Sequence, residues 1–333
     1  MSRVRIWLVI VLCCGCGRIG FELGGSAGIG TDAKPGTVGT LDSSSTLDAA
    51  LGIDAAMATG WTQLATQPGV ANALWGVEAG SSTDLLVSGT SGLLMSFNGT
   101  TWTMIANPAT TTLFYFARFA ANDIWVVGQG CMAVHFDGSI WSSTIVTGCS
   151  NQDLFAVGGA ASNDVWAVGT SGTIARWGGS AWVGSTQGTA DFWSLTTAAA
   201  NDVDLVGARG TLLNWNGSTY TSNNAAPNAI IASIWQAGAS EYWAVGATGT
   251  IMHRVGAAWA QVTSPTATTL YAVAGNSPTD IWAVGSGGVM IHYDGLGWSM
   301  ATSPTTNTLR GIARMPGGGL VAVGDGGLVL VHP

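Results

Sequence analysis

Four histidines are the residues of this chain best suited to metal binding or proton transfer. His135, His253 and His292 each stand seven residues after a glycine that closes an apolar run, and His332 stands eight residues after such a glycine. Imidazole groups bind metal ions and exchange protons near neutral pH. A metal site requires several of them to converge on one ion, so the elements that carry them decide whether they form one.

Aspartates and one glutamate form a second recurring set, a few residues ahead of the same glycines. This set comprises Asp84, Asp123, Asp164, Asp202, Glu241 and Asp280. Paired carboxylates can perform general acid–base work. The simpler interpretation is that they accept backbone hydrogen bonds in turns, as Asp and Asn commonly do.

A third set is aromatic and could bind a ligand by stacking. Ahead of each of these glycines, at a position taken as equivalent, stands an aromatic residue or an arginine: Trp75, Phe114, Phe155, Trp193, Trp235, Tyr271 and Arg310. Aromatic rings at a surface stack on sugars or hold a peptide, and they also pack on one another in a core. Four residues further on, Arg118 and Arg314 recur, with Glu78 nearby in its own unit. These charges predict a structural ion pair or, alternatively, an anion site.

The secondary-structure elements that carry these residues can be predicted from an internal sequence repeat. Its copy from Thr269 to Trp298 reads TLYAVAGNSPTDIWAVGSGGVMIHYDGLGW. The anchor glycines that close the apolar runs are Gly89, Gly128, Gly169, Gly207, Gly246, Gly285 and Gly324, at intervals of 38 to 41 residues. A fixed period near 40 residues is typical of repeat architectures, β-propellers among them.

The sequence pattern of each repeat unit predicts four short β-strands. The apolar runs are rich in β-branched and aromatic residues, are bounded by turn residues and do not recur at helical spacing. Pairs such as Asn98-Gly99 and Asp294-Gly295 are typical of type I′ hairpin turns. Four-stranded antiparallel units repeated radially form a β-propeller. We therefore predict an all-β fold, a seven-bladed β-propeller over residues 61–333.

Trp61 indicates how the ring closes. It is the first of the fourth-strand aromatics and precedes every complete first strand. We expect Trp61–Leu64 to supply the outer strand of the last blade, beside Leu328–His332, which leaves no open face between blades.

In a ring of blades, most of the candidate residues lie on different blades and do not come together at one site. Equivalent positions on successive blades are about 51° apart in a seven-bladed ring. The histidines and carboxylates therefore should not meet at one ion, and we predict no metal site and no cofactor. First strands line the central channel, so the third set should form an aromatic mouth or pack between blades.

The pattern DIWAVG.GG…HYDG..W resembles bacterial neuraminidase-type repeats and the related photosystem-assembly-factor-like propellers. The resemblance covers residues 61–333 and implies the propeller fold. The neuraminidase aspartate box places Asp and Trp five positions apart, whereas Asp294 and Trp298 are four apart. Sialidase activity is therefore not carried over.

The first residues resemble a bacterial lipoprotein signal. Arg3 and Arg5 precede a short apolar run, and Gly15 precedes Cys16. The resemblance implies a signal peptide at 1–15 and lipidation of Cys16; cleavage before Cys13 or Cys14, or an ordinary secretory signal, are the alternatives. Residues 16–60 are rich in Gly, Ser, Thr and Ala, a composition typical of a flexible tether.

Composition narrows the partners. Residues 61–333 contain six Arg, no Lys and thirteen Asp or Glu, so the domain lacks the basic face that nucleic acid requires. An exported protein meets oxidising conditions, which makes a Cys131–Cys149 disulfide an expectation.

Together these features predict a monomeric domain that contacts the membrane through its lipid anchor alone. It would lie outside the cytoplasm, at the outer membrane or surface of a Gram-negative bacterium. We expect a non-catalytic module that binds a protein or glycan. The alternatives are a neuraminidase-type glycoside hydrolase or lyase, and an envelope assembly or structural factor.

Overall fold

The computed structural model describes residues 60–223 and 227–333. The predicted signal peptide, Cys16 and the tether up to residue 59 lie outside this range. Within it, 28 strands form seven four-stranded antiparallel sheets, one for each repeat unit. The predicted all-β, seven-bladed propeller is confirmed.

The strands fall into four radial positions. The innermost are β2 (Leu74–Ser81), β6 (Leu113–Ala120), β10 (Leu154–Ala161), β14 (Phe192–Ala199), β18 (Ile231–Gly238), β22 (Leu270–Ser277) and β26 (Leu309–Arg314). The second strands are β3 (Asp84–Gly89), β7 (Asp123–Gly128), β11 (Asp164–Gly169), β15 (Asp202–Gly207), β19 (Glu241–Gly246), β23 (Asp280–Gly285) and β27 (Leu320–Gly324). The third strands are β4 (Leu94–Phe97), β8 (Met132–Phe136), β12 (Thr173–Trp177), β16 (Leu212–Trp215), β20 (Ile251–Val255), β24 (Met290–Tyr293) and β28 (Val329–His332). The outer strands are β5 (Trp102–Met104), β9 (Trp141–Ile145), β13 (Trp182–Thr186), β17 (Tyr220–Ser222), β21 (Ala258–Val262), β25 (Trp298–Ala301) and β1 (Thr62–Gln63).

Blades 1 to 6 each consist of four consecutive strands, from β2–β5 to β22–β25. Blade 7 combines β26, β27 and β28 with β1 from the start of the domain. Each innermost strand contacts the innermost strands of both neighbouring blades, and β2 contacts both β6 and β26. The ring is therefore continuous.

Strand β1 closes the ring as the position of Trp61 predicted. Thr62 pairs with Val331 and Gln63 with Leu330. The Gln67 side chain reinforces this closure, because its amide nitrogen donates to the Val329 carbonyl at 2.9 Å and its amide oxygen accepts from the Val329 N–H at 2.8 Å. Trp61 itself is buried.

The second strands form the centre of each blade. In β23, the five residues from Ile281 to Gly285 are all buried. A strand covered on both faces must be apolar at successive positions, which explains the repeated Ile-Trp-Ala-Val run. Between several blades, the tryptophan of this run packs on an aromatic ring of the next blade: Trp125 and Trp177 have ring centroids 5.1 Å apart, and Trp243 and Tyr293 have centroids 4.7 Å apart.

The anchor glycine is required by close approach of the backbone. A Cβ on Gly89 would lie 2.5 Å from the Ala73 carbonyl oxygen, nearer than any side-chain carbon can come. The expectation of type I′ turns at the Asn-Gly and Asp-Gly pairs was wrong. Gly99 has φ of 94°, but Asn98 has no positive φ; its side-chain oxygen instead accepts from the Thr100 and Thr101 N–H groups.

Short turns complete the blades. Six three-residue 3₁₀ turns follow second strands: Thr90–Gly92, Thr170–Gly172, Ala208–Gly210, Ala247–Gly249, Ser286–Gly288 and Asp325–Gly327. In the described part of the chain, no helix has the length and apolar character needed to cross a membrane.

Candidate functional site

A cavity opens where the innermost strands begin. The first residue of each innermost strand is paired with the anchor glycine of its blade, as Leu74 is with Gly89 and Leu270 with Gly285. The next residue, fourteen positions ahead of that glycine, faces the cavity. Seven strands therefore deliver seven equivalent side chains to one ring.

We call this ring the aromatic mouth. It encloses about 180 Å³ and is lined by Trp75, Phe114, Tyr115, Phe155, Trp193, Ala232, Tyr271 and Arg310. These side chains are buried or half-buried, and none is fully exposed. The cavity is thus apolar, concave and fixed by the ring, which is the usual character of a ligand site.

Four rings form a continuous arc along one side of the mouth. The centroids of Trp75 and Phe114 are 5.2 Å apart with the rings perpendicular, and those of Phe114 and Phe155 are also 5.2 Å apart. Phe155 and Trp193 are stacked in parallel at 4.3 Å. Such contacts stabilise each ring by about 0.5–1.5 kcal/mol beyond the area it buries. The arc is therefore preorganised.

Arg310 completes the ring between Tyr271 and Trp75. Its guanidinium carbon lies 4.2 Å from the centre of the Trp75 ring. Its Nε and Nη2 donate to the Asp325 carboxylate at 2.7 and 3.2 Å. Because Asp325 neutralises it, Arg310 gives the mouth a polar edge without a strong positive charge.

Tyr115 belongs to the mouth, although sequence reasoning missed it. Its hydroxyl donates to the Arg310 carbonyl at 2.8 Å. Burial raises the pKa of Tyr115 to about 12, so the hydroxyl remains a donor at neutral pH. The other blades have Gly, Ala or Ser at this position, thirteen residues ahead of the anchor glycine. A large residue among small ones was the available signal.

The structure places Trp235 elsewhere. Ile231 pairs with Gly246, so the residue of blade 5 that faces the mouth is Ala232. Trp235 lies three residues further along β18, pairs with Trp243 and packs against the core between blades 5 and 6. The prediction that Trp235 holds the equivalent position was wrong, because the strand pairing places Ala232 there. The mouth therefore has a gap in its aromatic lining at Ala232.

The predicted charged sector forms in part. Arg118 lies 3.6 Å from a Glu78 oxygen and donates to Asp84 at 2.8 Å. Burial raises the pKa of Glu78 to about 7, against the opposing effect of the Arg118 charge. Arg314 is exposed, and no carboxylate of the described residues forms an ion pair with it. Asp84 is the partner that the sequence did not predict.

The histidines and carboxylates form separate pairs within their blades. His135 contacts Asp123 at 2.7 Å, and His253 contacts Glu241 at 2.9 Å. Each imidazole also stacks on the second-strand tryptophan of its own blade, as His135 does on Trp125 at 4.0 Å. Asp123, Asp164, Asp202, Glu241 and Asp280 bond third-strand side chains twelve residues later, whereas Asp84 bonds Arg118. The expected backbone partners were wrong. Residues 60–223 and 227–333 contain no cluster of three His, Cys, Asp or Glu able to hold a metal ion.

Cys131 and Cys149 are joined in a disulfide, with Cα atoms 5.7 Å apart. The Gly184 N–H donates to the Thr147 carbonyl at 2.8 Å, so the bridged loop after β9 contacts the outer strand of blade 3. Both cysteines are buried. The disulfide thus ties the loop that leads from β9 into β10, where Phe155 lines the mouth six residues after Cys149.

The sequence matches no family model and no curated protein. Solved structures share the fold. YCF48 from Cyanidioschyzon merolae is 18% identical with a TM-score of 0.68, covering 82% of this chain and 99% of that chain. A structure of YCF48 bound to D1 peptide is 15% identical with a TM-score of 0.68, covering 82% and 94%. Virginiamycin B lyase from Staphylococcus aureus, solved with quinupristin in a catalytically inactive form, is 12% identical with a TM-score of 0.70, covering 82% and 97%. These similarities establish the propeller, and they include binding modules as well as lyases.

Proposed function

We propose that this propeller is a non-catalytic protein-interaction module whose aromatic mouth accepts an apolar or aromatic side chain of an extended partner segment. The observation that carries the proposal is the preformed arc from Trp75 to Trp193, closed by Tyr271 and Arg310.

The size of the cavity favours a single side chain. Its volume of about 180 Å³ is below the roughly 300–1,000 Å³ of sites that enclose a whole small molecule. Burial of one Leu, Phe or Met side chain contributes about 1.5–3 kcal/mol. One anchored residue therefore gives weak binding, and the flanking residues of a segment would supply the rest across the surrounding loops.

Arg310 is the charged group of the mouth, and it contacts both the Trp75 ring and Asp325. Because Asp325 already neutralises Arg310, a neutral segment fits better than an acidic one.

The peptide complex of YCF48 supports a protein partner by analogy of fold. A glycan is the other candidate, because aromatic faces also stack on sugar rings. We further propose that the protein acts outside the cytoplasm, tethered through a lipid on Cys16 at the outer membrane or cell surface. Metabolic labelling with a radioactive fatty acid should mark the wild type and leave Cys16→Ala unlabelled. An unlabelled wild type would refute the anchor, and equal labelling of both would place the lipid on a residue other than Cys16.

A peptide-display selection on the immobilised full chain tests the proposal. Selected peptides should share one apolar or aromatic residue, and Trp193→Ala should weaken their binding by about tenfold or more, which corresponds to 1.4 kcal/mol. Trp235→Phe is the matched control, because Trp235 lies on the next blade but outside the mouth. Equal loss in both variants, or none in Trp193→Ala, would contradict the proposal. Enrichment of a glycan but no peptide would replace it with the glycan alternative.

A further inference from the structure

The boundary between blades 4 and 5 departs from the apolar packing of the ring. At four other boundaries, a second-strand tryptophan packs on an aromatic ring of the next blade, as Trp166 does on Trp215 with centroids 5.9 Å apart. Leu86 and Val321 hold the tryptophan position in blades 1 and 7. At this boundary Asp204 occupies the tryptophan position, and Arg254 occupies the position of the facing ring. Two aromatic residues have been exchanged for one ion pair.

The ion pair is buried and bidentate. Arg254 Nη1 donates to Asp204 Oδ1 at 2.7 Å, and Nη2 donates to Oδ2 at 2.6 Å. The guanidinium carbon lies 3.9 Å from the centre of the Tyr242 ring. Asn214 donates to Asp202 at 2.7 Å and more weakly to Asp204 at 3.3 Å. These contacts fix the orientation of every charged group.

A cavity lies beside this ion pair, and both Asp204 and Arg254 line it. We call it the flank cleft; its volume is about 320 Å³, and its lining includes Asp202, Asp204, Asn214, Thr221, Arg254 and Trp259. None of these residues lines the aromatic mouth. At about 30 Å³ for each water molecule, the cleft has room for roughly ten waters or one compact ligand.

One polar atom of the cleft residues lacks a partner. The Arg254 side chain is 10% exposed, and its Nε–H is buried without an acceptor among the described residues. A buried donor of this kind costs free energy unless an oxygen from a water or ligand satisfies it. The Asn214 amide oxygen is a further acceptor, since the bonds of this side chain to Asp202 and Asp204 use its nitrogen.

The chemistry of the lining selects the ligand class. Two carboxylates against one guanidinium disfavour an anion. The Asp204 oxygens are engaged by Arg254, and the described residues hold no metal-ligand cluster, so the lining is not arranged for a cation. Planar amide, carboxylate and guanidinium groups side by side suit alternating hydroxyl donors and acceptors.

We propose that the flank cleft is a second binding site, for a neutral polyhydroxylated ligand of the size of one sugar residue. The site is separate from the aromatic mouth and does not depend on its function.

Saturation-transfer NMR on the full chain tests this, with free glucose, galactose, mannose, N-acetylglucosamine and mannitol as probes. At least one should bind saturably in the millimolar range. Asn214→Ala should weaken that binding by about tenfold. The control Asp123→Ala removes the carboxylate equivalent to Asp202 in blade 2 and should leave binding unchanged.

A second variant guards against loss of folding. Asp204→Trp with Arg254→Phe introduces the kind of aromatic pair found at four other boundaries. It should fill the cleft and abolish binding while the circular dichroism spectrum stays intact. Absence of binding by every probe, equal binding to this double variant, or loss of binding in Trp193→Ala would overturn the proposal.

Discussion

The Asp204–Arg254 ion pair makes a stability prediction that can be worked through from its geometry. The two side chains are 5% and 10% exposed, and two short hydrogen bonds join them. Asp204→Ala would leave the guanidinium buried without a counter-charge. Breaking a buried pair in this way costs about 3–5 kcal/mol. At roughly 2–4 °C for each kcal/mol in a domain of this size, the melting temperature should fall by about 10 °C.

The double variant Asp204→Trp with Arg254→Phe should behave differently. Replacement of a buried ion pair by packed apolar groups is often neutral or stabilising, by about 1–4 kcal/mol. The double variant should therefore be at least as stable as the wild type, in contrast to Asp204→Ala. Asp164→Ala is the matched control: this aspartate also bonds an arginine, Arg176, at 2.7 Å, but the arginine side chain left behind is 45% exposed and stays hydrated. This control substitution should cost no more than about 1 kcal/mol.

Thermal and urea unfolding followed by circular dichroism measure these differences. The reasoning would be refuted if Asp204→Ala cost less stability than the Asp164→Ala control. It would also be refuted if the double variant were as unstable as Asp204→Ala, because the boundary would then depend on something other than its charge balance.

Three further predictions concern the rest of the ring. Reduction of the Cys131–Cys149 disulfide should lower the free energy of unfolding by about 3 kcal/mol, the value for a loop of this length, in urea titrations with and without reductant; alkylation of Cys131 and Cys149 before reduction would contradict the bridge. Burial lowers the pKa of His332 below 6.5, so its contribution to stability is complete above that pH and declines as the pH falls, because the unfolded chain takes up the proton first. His332→Phe should remove this decline from a pH series of melting temperatures, and an unchanged slope would refute it. Glu78 acts in the opposite sense: its pKa is raised from 4.5 to about 7, so its contribution is complete below 4.5 and is lost as the pH rises through about 7. Carboxyl-carbon NMR should show one glutamate titrating near 7 that Glu78→Gln removes, and a midpoint near 4.5 would exclude the shift.

The repeat made most of the fold predictable. The anchor glycines gave the number of blades, and Trp61, as a fourth-strand aromatic ahead of the first complete unit, gave the ring closure. Both follow from one period, because a propeller applies the same strand order to every unit. The turn conformations were harder to predict. Asn98-Gly99 is a pair typical of a type I′ turn, but the Asn98 side chain instead accepts a hydrogen bond within the turn.

The residues of the candidate site could be predicted only where the distance from the anchor glycine was held constant in every blade. A constant distance of fourteen residues from the anchor glycine identifies Ala232, whereas the expectation of an aromatic residue led to Trp235. Tyr115 and the Asp204–Arg254 pair are departures from the repeat, visible as odd residues in otherwise uniform positions. Their partners could not be assigned from the sequence, because the contact depends on which neighbouring blade each side chain faces.

The central claim, that the aromatic mouth holds a partner side chain, is tested most directly by filling it. Ala232→Trp places an indole in the gap of the lining without removing any existing aromatic residue. Calorimetric titration of a peptide selected on the wild-type chain should show binding to the wild type and no measurable binding to Ala232→Trp. Unchanged affinity for Ala232→Trp would contradict the account and place the binding site elsewhere on the ring.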